Sequence, residues 1–379
     1  MDQHPELPYW LALRRAGLGS TNFALLLARF KTIEAAWHAG AENVAGAGLE
    51  PQYQRALAKA KADFDGDREL ELMAKHGARA LTWLDADYPA NLRDIPQSPP
   101  VVFVRGNMGP QFEQAVSVVG TRHVTPYGRQ AAEYFCAALA RAGVAIVSGL
   151  ARGVDAIAHR VALENGAPTV AVLAGGIDQV YPRENAGLAD RIIGQGCLVS
   201  EYPVGIPARR DYFPRRNRIL SGLGRAALLV EAGEGSGALH TANWAFEQGR
   251  DVFAVPGSIF SRQSQGTNQL IRENTAKLVA TPEQLCEELN LLATTQPLPV
   301  GNGTQPALFE KPMAPAKAPS PAAGVDEHPL LRWLATGPLH IDVIARSAGL
   351  PIAEVSSALQ ILELEGRVRT AGPMTYARA

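Results

Sequence analysis

The densest group of charged side chains lies in a ten-residue stretch, residues 209–218, whose chemistry suits a polyanion. Five of these residues are arginine and one is aspartate, a formal charge of +4, and Tyr212 and Phe213 lie among them. Arginines neutralise phosphates, and aromatic faces stack on unpaired bases without a sequence preference. This combination favours a single strand over a duplex, whose bases are already stacked. Composition alone is equally compatible with a solvated, salt-bridged helix start that packs Phe213 inward.

Glycines, small polar residues and carboxylates follow the apolar runs in the middle of the chain. These segments are Gly120-Thr121-Arg122, Ser148-Gly149, Gly175-Gly176-Ile177-Asp178, Glu201-Tyr202-Pro203, residues 231–237 and Pro256-Gly257. Glycines let backbone N–H groups approach a phosphate, and the helix N-termini that follow add a favourable dipole. Any one of these glycines could simply serve a tight turn between a strand and a helix. Taken together near one edge, they indicate an anion-binding surface.

The usual nucleotide and metal motifs are missing. Arg122 stands where the second glycine of a dinucleotide-binding GxGxxG motif would be, and no GxxxxGK[ST] phosphate loop occurs. The three cysteines, Cys136, Cys197 and Cys286, are far apart and have no histidine at ligand spacing. We therefore predict no cofactor, no metal site and no disulfide framework.

Several acidic and histidine side chains could in principle do acid–base chemistry. Asp155 and His159 are four residues apart on one predicted helix turn, which suits an acid–base pair or half of a metal site. A local structural pairing near a helix start explains them as well, and we prefer it because no third ligand or nucleophile stands at an obvious spacing. Glu201, Glu231 and Glu234 lack an evident partner, so we expect them to shape the pocket. No catalytic residue is assigned.

Apolar β-rich runs alternate with helix-period segments through the middle of the chain. The runs are Ala115–Val119, Val144–Val147, Thr169–Leu173, Cys197–Ser200, Ala226–Val230, Val252–Val255 and Lys277–Ala280. Continuous apolar strands separated by helices, such as 128–141 and 238–248, imply a parallel sheet covered on both faces. The fold class is therefore α/β, with a Rossmann-like doubly wound parallel sheet over residues 106–290. In such sheets, ligands bind outside the carboxyl ends of the strands.

Different patterns flank this core. Residues 1–80 have helical apolar spacing and two glycine turns, which predicts a small helical domain of the helix-hairpin-helix or SAM-like kind. Residues 81–105 are predicted to be a connecting segment that leads into the core. Residues 291–325 form a Pro/Ala-rich linker. Residues 326–379 contain helices at His328–Ala335, Ile341–Ala348 and Ile352–Leu364 and then a small hairpin, a winged-helix pattern. The segment 352–365 carries three Glu and no Lys or Arg, which favours a protein partner over DNA reading.

Whole-chain composition sets broad bounds. The 379 residues include 36 basic and 37 acidic ones, a formal net charge of -1, so a nucleic-acid site would have to be a local patch. A hydrophobic fraction of 46% is enough to form a core. No signal peptide and no apolar run of membrane-spanning length is evident, and a cytoplasmic location is expected.

The motifs and their order resemble the DNA-processing protein A (DprA/Smf) family of bacterial natural transformation. The matching stretches are 118–122, 148–159, 175–178 with Tyr181-Pro182, 200–203, 213–219, Glu231-Ala232 with Ser236-Gly237, Pro256-Gly257 and 266–271. They span nearly all of residues 106–280. The helical N-terminus and the C-terminal winged helix agree with the family more loosely.

The resemblance implies a non-enzymatic protein with a defined set of partners. Such proteins bind incoming single-stranded DNA, form homodimers and load the recombinase RecA onto a strand that also carries single-strand-binding protein. The DNA-binding residues expected in this chain are Gly120, Thr121, Arg122, Ser148, Gly149, Arg152, Arg209, Arg210, Phe213, Arg215, Arg216, Asn217 and Arg218. Among them, Arg122 is implied in the strand pocket and the Ser148-Gly149 turn is implied to offer backbone donors.

Two other functions are compatible with parts of the sequence. Lysine-decarboxylase-like phosphoribohydrolases bind nucleotide phosphates at similar loops, but residues 231–239 lack their PGGxGTxxE pattern. A transcription regulator could use the winged helix, but the acidic third helix argues against it.

Overall fold

The computed structural model describes residues 4–291, 329–364, 366–372 and 374–378. The chain divides into two compact units, Met1–Pro299 and Val300–Ala379, which we describe in turn. The linker predicted at 291–325 lies outside the described residues except for residue 291, and so does His328, the predicted first residue of a helix.

Six helices open the first unit, where the sequence predicts a helical domain. They are α1 (Leu7–Arg15), α2 (Ser20–Phe30), α3 (Ile33–His38), α4 (Ala41–Ala45), α5 (Pro51–Asp63) and α6 (Gly66–Lys75). Side-chain caps mark where two of them begin. The Thr32 hydroxyl accepts a hydrogen bond from the backbone N–H of Ala35, and the Asp65 carboxylate accepts one from Arg68, which satisfies N–H groups that a helix start leaves free.

A nine-stranded sheet forms the centre of the first unit. Its strands are β1 (Ala78–Thr82), β2 (Val101–Gly106), β3 (Val116–Val119), β4 (Ile146–Ser148), β5 (Thr169–Val172), β6 (Cys197–Ser200), β7 (Ala226–Leu229), β8 (Asp251–Ala254) and β9 (Lys277–Leu278). They lie in the order β1-β2-β6-β5-β4-β3-β7-β8-β9. Every pair from β6 to β9 is parallel, so the doubly wound parallel sheet predicted from the apolar runs is confirmed.

Strands β1 and β2 extend this sheet into the segment at 81–105 that the sequence assigns to a connection, and β1 begins at Ala78, within the region predicted to be helical. They pair antiparallel with each other, Thr82 opposite Val101, and β2 pairs antiparallel with β6, Gly106 opposite Cys197. The residues of β2 from Val101 to Val104 are fully buried. The segment therefore contributes a strand pair to the core as well as joining the helices to it.

Eight further helices belong to the first unit. They are α7 (Ala90–Arg93), α8 (Pro126–Arg141), α9 (Val154–Glu164), α10 (Ala186–Gln195), α11 (Tyr212–Leu223), α12 (Gly237–Glu247), α13 (Gln265–Arg272) and α14 (Pro282–Glu288). Thr125 caps α8 by accepting from the backbone N–H of Gly128, and Pro126 occupies the first helical turn, where its missing N–H costs nothing. None of the helices within the described residues has both the length and the apolarity that a bilayer crossing requires.

Side chains along each strand alternate between two apolar layers, as the pleat requires. On β7, Leu229 clusters with Leu220 of α11, whereas Leu228 clusters with Phe135 of α8 on the other face. The N-terminal helices cover the rest of that second face, because Trp10 and Phe103 share one apolar cluster with residues of β5 and β6. The helical region and the sheet thus have a common core.

The chain changes direction across the sheet at β3. Strands β4, β5 and β6 follow on one side of β3, and β7, β8 and β9 follow on the other. Helices α8 and α9 pack on one face, and α11 and α12 pack on the opposite face. Such a switch point opens a crevice outside the carboxyl ends of the two central strands, here β3 and β7.

The second unit is a small winged helix, as predicted. Its elements are a 3-10 helix (Trp333–Thr336), β10 (Leu339–His340), α15 (Ile341–Ala348), α16 (Ile352–Leu364), β11 (Val368–Gly372) and β12 (Thr375–Arg378). Gly349 ends α15 in the left-handed conformation, φ 69°, which glycine adopts without strain. The predicted first helix is wrong in type: residues 329–336 form turns and the 3-10 helix, and the apolar residues Leu330, Leu331 and Leu334 still enter the core of the unit.

Candidate functional site

A cleft of about 430 Å³ opens at the carboxyl ends of β3 and β7. We call it the edge cleft. Its walls are formed by the segment 120–123 after β3, the loop 233–238 after β7, and Phe213, Arg216, Asn217 and Gln263. Helices α9, α11 and α12 begin at this edge, so their N-terminal N–H groups and dipoles favour an anion there.

Arg216 and Asp155 organise the floor of the edge cleft around Gly149. The Arg216 guanidinium donates from Nη1 to the carbonyl oxygens of Gly149, at 2.8 Å, and Val172. The Asp155 carboxylate accepts from the backbone N–H groups of Gly149, at 3.1 Å, and Ala151, at 3.3 Å. An added Cβ at Gly149 would lie 2.5 Å from Arg216 Nη1, so any other residue here would have to displace the Arg216 guanidinium. The Gly149 N–H group, expected from the family to be available to a ligand, is bound within the protein instead.

Burial shifts the pKa values of both Asp155 and Arg216. Burial raises the pKa of the Asp155 carboxyl, and this rise is opposed by the charge of Arg216 and by the N–H groups of Gly149 and Ala151. Burial likewise lowers the pKa of Arg216 to about 10, against the attraction of Asp155 and with a smaller contribution from the positive charge of Arg122. A pKa of about 10 keeps Arg216 charged at neutral pH, and Asp155 interacts with it in the same cleft floor.

The Phe213 ring is close to both the buried Arg216 guanidinium and the exposed Arg122 guanidinium. The guanidinium carbon of Arg216 lies 5.9 Å from the centre of the Phe213 ring, and that of Arg122 lies 5.5 Å from it, both at cation–π distance. Arg122 itself is exposed to solvent. Tyr181, also exposed, packs edge-on against Phe213 with ring centres 5.7 Å apart. Exposed Arg122, the Arg216 guanidinium of the cleft floor and the Tyr181 ring thus all lie next to the Phe213 ring.

The backbone that carries Arg122 is fixed from several directions. The N–H of Thr121 donates to the carbonyl of Glu231 at 2.6 Å, and the Thr121 hydroxyl contacts Gln263 Oε1 at 3.2 Å and accepts from the N–H of His123. At Gly120 an added Cβ would approach Val154 to 2.5 Å, because α9 packs closely there. The loop therefore holds the Arg122 backbone in place while its guanidinium stays free to meet a ligand.

The arginine-rich stretch divides into exposed and buried members. Arg209, Arg210 and Arg215 are exposed beside the start of α11. Arg209 pairs with Asp211 at 3.1 Å and lies over the Tyr212 ring, which stacks on Tyr202 with ring centres 4.1 Å apart. The stretch thus combines exposed cations with aromatic side chains, as the nucleic-acid interpretation requires.

Arg218 is committed to an internal ion pair. Its Nη2 donates to Glu201 Oε2 at 2.5 Å, and both side chains are largely buried. Arg14 of α1 donates to the Glu201 carbonyl oxygen at 2.8 Å and lies over the Tyr202 ring. Glu201 therefore ties the N-terminal helices to α11 and, unlike the expectation that it shapes the pocket, is not among the residues that line the edge cleft.

Arg152 is exposed but already paired. Its guanidinium makes a two-pronged contact with Glu184, Nε to Oε1 at 2.7 Å and Nη2 to Oε2 at 2.6 Å. Ser148, by contrast, is buried, and its hydroxyl donates to the carbonyl of Val118, which joins β4 to β3. Of the two, only Arg152 is accessible, and a phosphate would compete with Glu184 for it.

Of the remaining acid–base candidates, Glu231 and His159 have structural partners, whereas Glu234 is exposed on the cleft wall. Glu231 is buried and accepts from the N–H of Thr125 at 3.0 Å and from its hydroxyl at 2.7 Å. His159 contacts the Thr169 hydroxyl at 2.7 Å rather than Asp155, and burial lowers the pKa of His159 to about 3. The structural interpretation of Asp155 and His159 thus agrees with their contacts, although each has a different partner from the one expected. Within the described residues, no cluster of three His, Cys, Asp or Glu side chains is arranged to hold a metal ion.

The edge cleft brings together six of the thirteen residues expected from the sequence. Gly120, Thr121, Arg122, Phe213, Arg216 and Asn217 line it. Arg152, Arg209, Arg210 and Arg215 lie exposed outside its walls, whereas Ser148, Gly149 and Arg218 are packed behind them. The sequence analysis does not find Gln263, which reaches the cleft from a 3-10 helix (Arg262–Ser264) more than 140 residues after Thr121. The Pro256-Gly257 and Gly266 to Ile271 matches on either side of it are the sequence signals that pointed nearby.

These features define a class: a doubly wound α/β protein with an arginine- and aromatic-lined crevice at its switch point, followed by a winged helix. The family model for "DNA recombination-mediator protein A" matches residues 79–290, and the model for the "DprA winged helix domain" matches residues 314–372. The chain belongs to the DNA recombination-mediator protein A family, and the resemblance found in the sequence is confirmed.

Individual relatives agree with this assignment. Protein Smf of Escherichia coli is 38% identical over 292 residues, which cover 77% of this chain and 75% of that protein. Protein Smf of Synechocystis sp. is 34% identical over 396 residues, with 98% of this chain and 99% of that protein covered.

Two solved structures are similar over much of the chain. DNA processing protein A of Streptococcus pneumoniae superposes with a TM-score of 0.67 at 32% identity, covering 76% of this chain and 99% of that one. DNA processing protein A of Helicobacter pylori, the subject of a structural study of its single-stranded DNA binding mode, gives 0.51 at 26% identity, covering 56% and 95%.

Proposed function

We propose that this chain binds single-stranded DNA along the carboxyl edge of its sheet and acts as a recombination mediator. The observation that carries this proposal is the cluster in the edge cleft, where exposed Arg122 and buried Arg216 both lie at cation–π distance from the Phe213 ring. Arg209, Arg210 and Arg215 extend the positive surface beyond the cleft. Guanidinium groups would bind phosphates, and the aromatic rings would stack on unpaired bases. The single-stranded DNA binding described for the Helicobacter pylori relative supports the same ligand.

The proposal is tested by reversing one charge at the cleft. Arg122→Glu should weaken binding to a fluorescent oligo-dT at least tenfold, because it places a carboxylate where a phosphate would bind. In a plot of the logarithm of the wild-type association constant against the logarithm of salt concentration, the slope should be about -0.7 for each phosphate neutralised. Arg141→Glu is the matched control, since Arg141 is exposed at the end of α8, at the opposite edge of the sheet. Equal binding by Arg122→Glu and wild type would refute the proposal.

We further propose that the protein passes the bound strand to RecA in the cytoplasm. We propose that single-strand-binding protein occupies the same strand, and that the protein acts as a homodimer. Membership in a recombination-mediator family supports the transfer step. Adding the protein to a strand coated with single-strand-binding protein should shorten the lag before RecA hydrolyses ATP, and Arg122→Glu should restore the lag. Sedimentation at micromolar concentration would test the dimer.

We also propose that the chain breaks no covalent bond in its ligand. Glu231 is fully engaged with Thr125, and Glu201 with Arg14 and Arg218, so both carboxylates serve the structure. The rival function is a nucleotide phosphoribohydrolase. Release of free adenine from AMP at an enzyme-like rate would establish that rival, and Glu234, exposed on the cleft wall, would then be the first carboxylate to replace.

A further inference from the structure

We propose that the loop after β8, residues 256–264, is a second contact for the strand, in which Phe260 stacks on an unpaired base beside the edge cleft. We call this segment the platform loop. The inference rests on the proposed binding of single-stranded DNA, and it adds two contact residues, Phe260 and Arg262, that lie outside the sequence motifs.

The tip of the platform loop presents apolar side chains to solvent. Phe260 is 91% exposed and Ile259 is 80% exposed, more than any other large hydrophobic residue among those described. Burying them against a ligand would be favourable. A phenyl face is the group on which a base of any sequence can stack.

The base of the loop is held rigidly. Gly257 and Asn268 exchange two hydrogen bonds, Gly257 N to Asn268 Oδ1 at 3.1 Å and Asn268 Nδ2 to the Gly257 carbonyl at 3.0 Å. The Tyr127 hydroxyl donates to the Pro256 carbonyl, and Ser264 packs so tightly under Gly257 that an added Cβ would lie 2.1 Å from its hydroxyl oxygen. An exposed tip on a fixed base is a pre-organised contact, which loses little conformational freedom when a ligand binds.

The platform loop is continuous with the edge cleft. Gln263 belongs to the loop, lines the cleft and contacts the hydroxyl of Thr121, the residue next to Arg122. Strand β8, from which the loop leaves, is the direct neighbour of β7, about 4.8 Å away. A strand seated on Arg122 and leaving the cleft over the loop 233–238 would therefore meet Phe260 next.

Charge on this side of the cleft favours a polyanion. The chain has no carboxylate from residue 252 to residue 272, and its two charged residues there are Arg262 and Arg272. Arg262 is exposed in the platform loop itself. The nearest acidic residue on the cleft wall is Glu234, in the neighbouring loop. A phosphate bound at Arg262 would leave its base free to stack on Phe260.

A second copy of the chain fits this surface less well than a strand does. A stable protein interface buries about 800 Å² on each partner, around an apolar centre. Here only two exposed apolar side chains, Ile259 and Phe260, stand among Ser258, Ser261, Arg262 and Gln263, which is little apolar surface for such an interface.

The test measures oligo-dT binding by the full chain in Phe260→Ala, Phe260→Leu and Arg262→Gln. We expect Phe260→Ala and Phe260→Leu each to weaken binding about tenfold, because both remove the aromatic face, and to leave the salt dependence unchanged, because stacking releases no counterions. Arg262→Gln should reduce the salt slope by about 0.7. Tyr134→Ala, at an exposed aromatic residue on α8, is the matched control and should bind as wild type does. An oligo-dT carrying 5-iodouracil should crosslink to Phe260 on irradiation.

The possible results distinguish failure of the platform-loop inference from failure of the proposed function. If wild type binds and Arg122→Glu does not, unchanged affinity in Phe260→Ala overturns the platform loop alone. Full binding by Phe260→Leu would overturn stacking, and a change of sedimentation coefficient in Phe260→Ala would assign the loop to self-association. Failure of wild type to bind oligo-dT would overturn the proposed function and the inference together.

Discussion

Asp155 and Arg216 bind the two polar backbone atoms of the same residue: Asp155 accepts from the Gly149 N–H at 3.1 Å, and Arg216 donates to the Gly149 carbonyl at 2.8 Å. The opposite charges of the two side chains are thus joined through one peptide segment. The chain turns at this point from β4 into α9. The contacts of Asp155 and Arg216 with Gly149 therefore fix the position of the backbone in the cleft floor.

Replacing Gly149 by alanine should destabilise the protein by about 2 kcal/mol, because the new methyl group would overlap the buried Arg216 guanidinium. Urea unfolding monitored by circular dichroism measures the loss. The control is Gly187→Ala in α10, where an added Cβ meets nothing within 4 Å and alanine favours the helix. Equal stability of Gly149→Ala and wild type would mean that Arg216 moves aside readily.

Two neighbouring arginines should separate binding from stability. Arg215 is exposed, so Arg215→Ala should reduce oligo-dT affinity and leave the free energy of unfolding unchanged. Arg218→Ala should lower that free energy by about 3 kcal/mol, because it leaves Glu201 buried without its closest cation. Urea unfolding and anisotropy titration of both variants check the pair. The reverse pattern would place the ligand contact on Arg218.

His159 should make the protein less stable in acid. Burial lowers its pKa to about 3 in the folded state, against an ordinary value of 6.5, so between these values the unfolded chain binds a proton that the folded chain does not. Stability therefore falls as pH falls through this window, by up to about 1.4 kcal/mol per pH unit. His159→Gln should show a shallower decline between pH 6.5 and about 4.5 than wild type. Parallel pH profiles of unfolding free energy for the two proteins would contradict the assignment.

The winged helix should be dispensable for strand binding. It forms a separate compact unit with its own apolar core, and its helix α16 carries glutamate but no basic residue. Removing residues 300–379 should therefore change the oligo-dT affinity less than twofold, measured by anisotropy at low salt. A loss as large as that of Arg122→Glu would show that the winged helix contacts the strand.

The sequence was most informative where periodicity decides structure. Seven apolar runs predict seven strands because a buried parallel strand has no polar face to obscure it, and the strand at Cys197–Ser200 is placed to the residue. Strands β1 and β2 were missed because 81–105 contains turn residues and no helix–strand alternation. The first winged-helix segment was assigned to an α-helix because apolar spacing alone does not distinguish one turn of 3-10 helix from the start of a longer helix.

For the candidate site, the residue types predicted the kind of contact with a ligand. They did not predict which of the side chains are accessible to it. Five arginines in residues 209–218 look alike in sequence, but Arg216 and Arg218 point inward to carbonyl and carboxylate oxygens that come from 17 to 67 residues away. Gln263 reaches the same cleft from a distant loop. Such long-range partners leave no local pattern, so only the folded chain could separate contacts with a ligand from contacts within the protein.

The apolar cluster shared by Trp10 and Phe103 has a practical consequence for dissecting the protein. A truncation that starts after residue 80 would strip the covering from one side of β2, β5 and β6 and remove Arg14 from Glu201. We therefore expect a fragment that keeps this covering to begin ahead of α1. Shorter pieces made to isolate the Rossmann-like part would aggregate or lose affinity for reasons unrelated to the ligand.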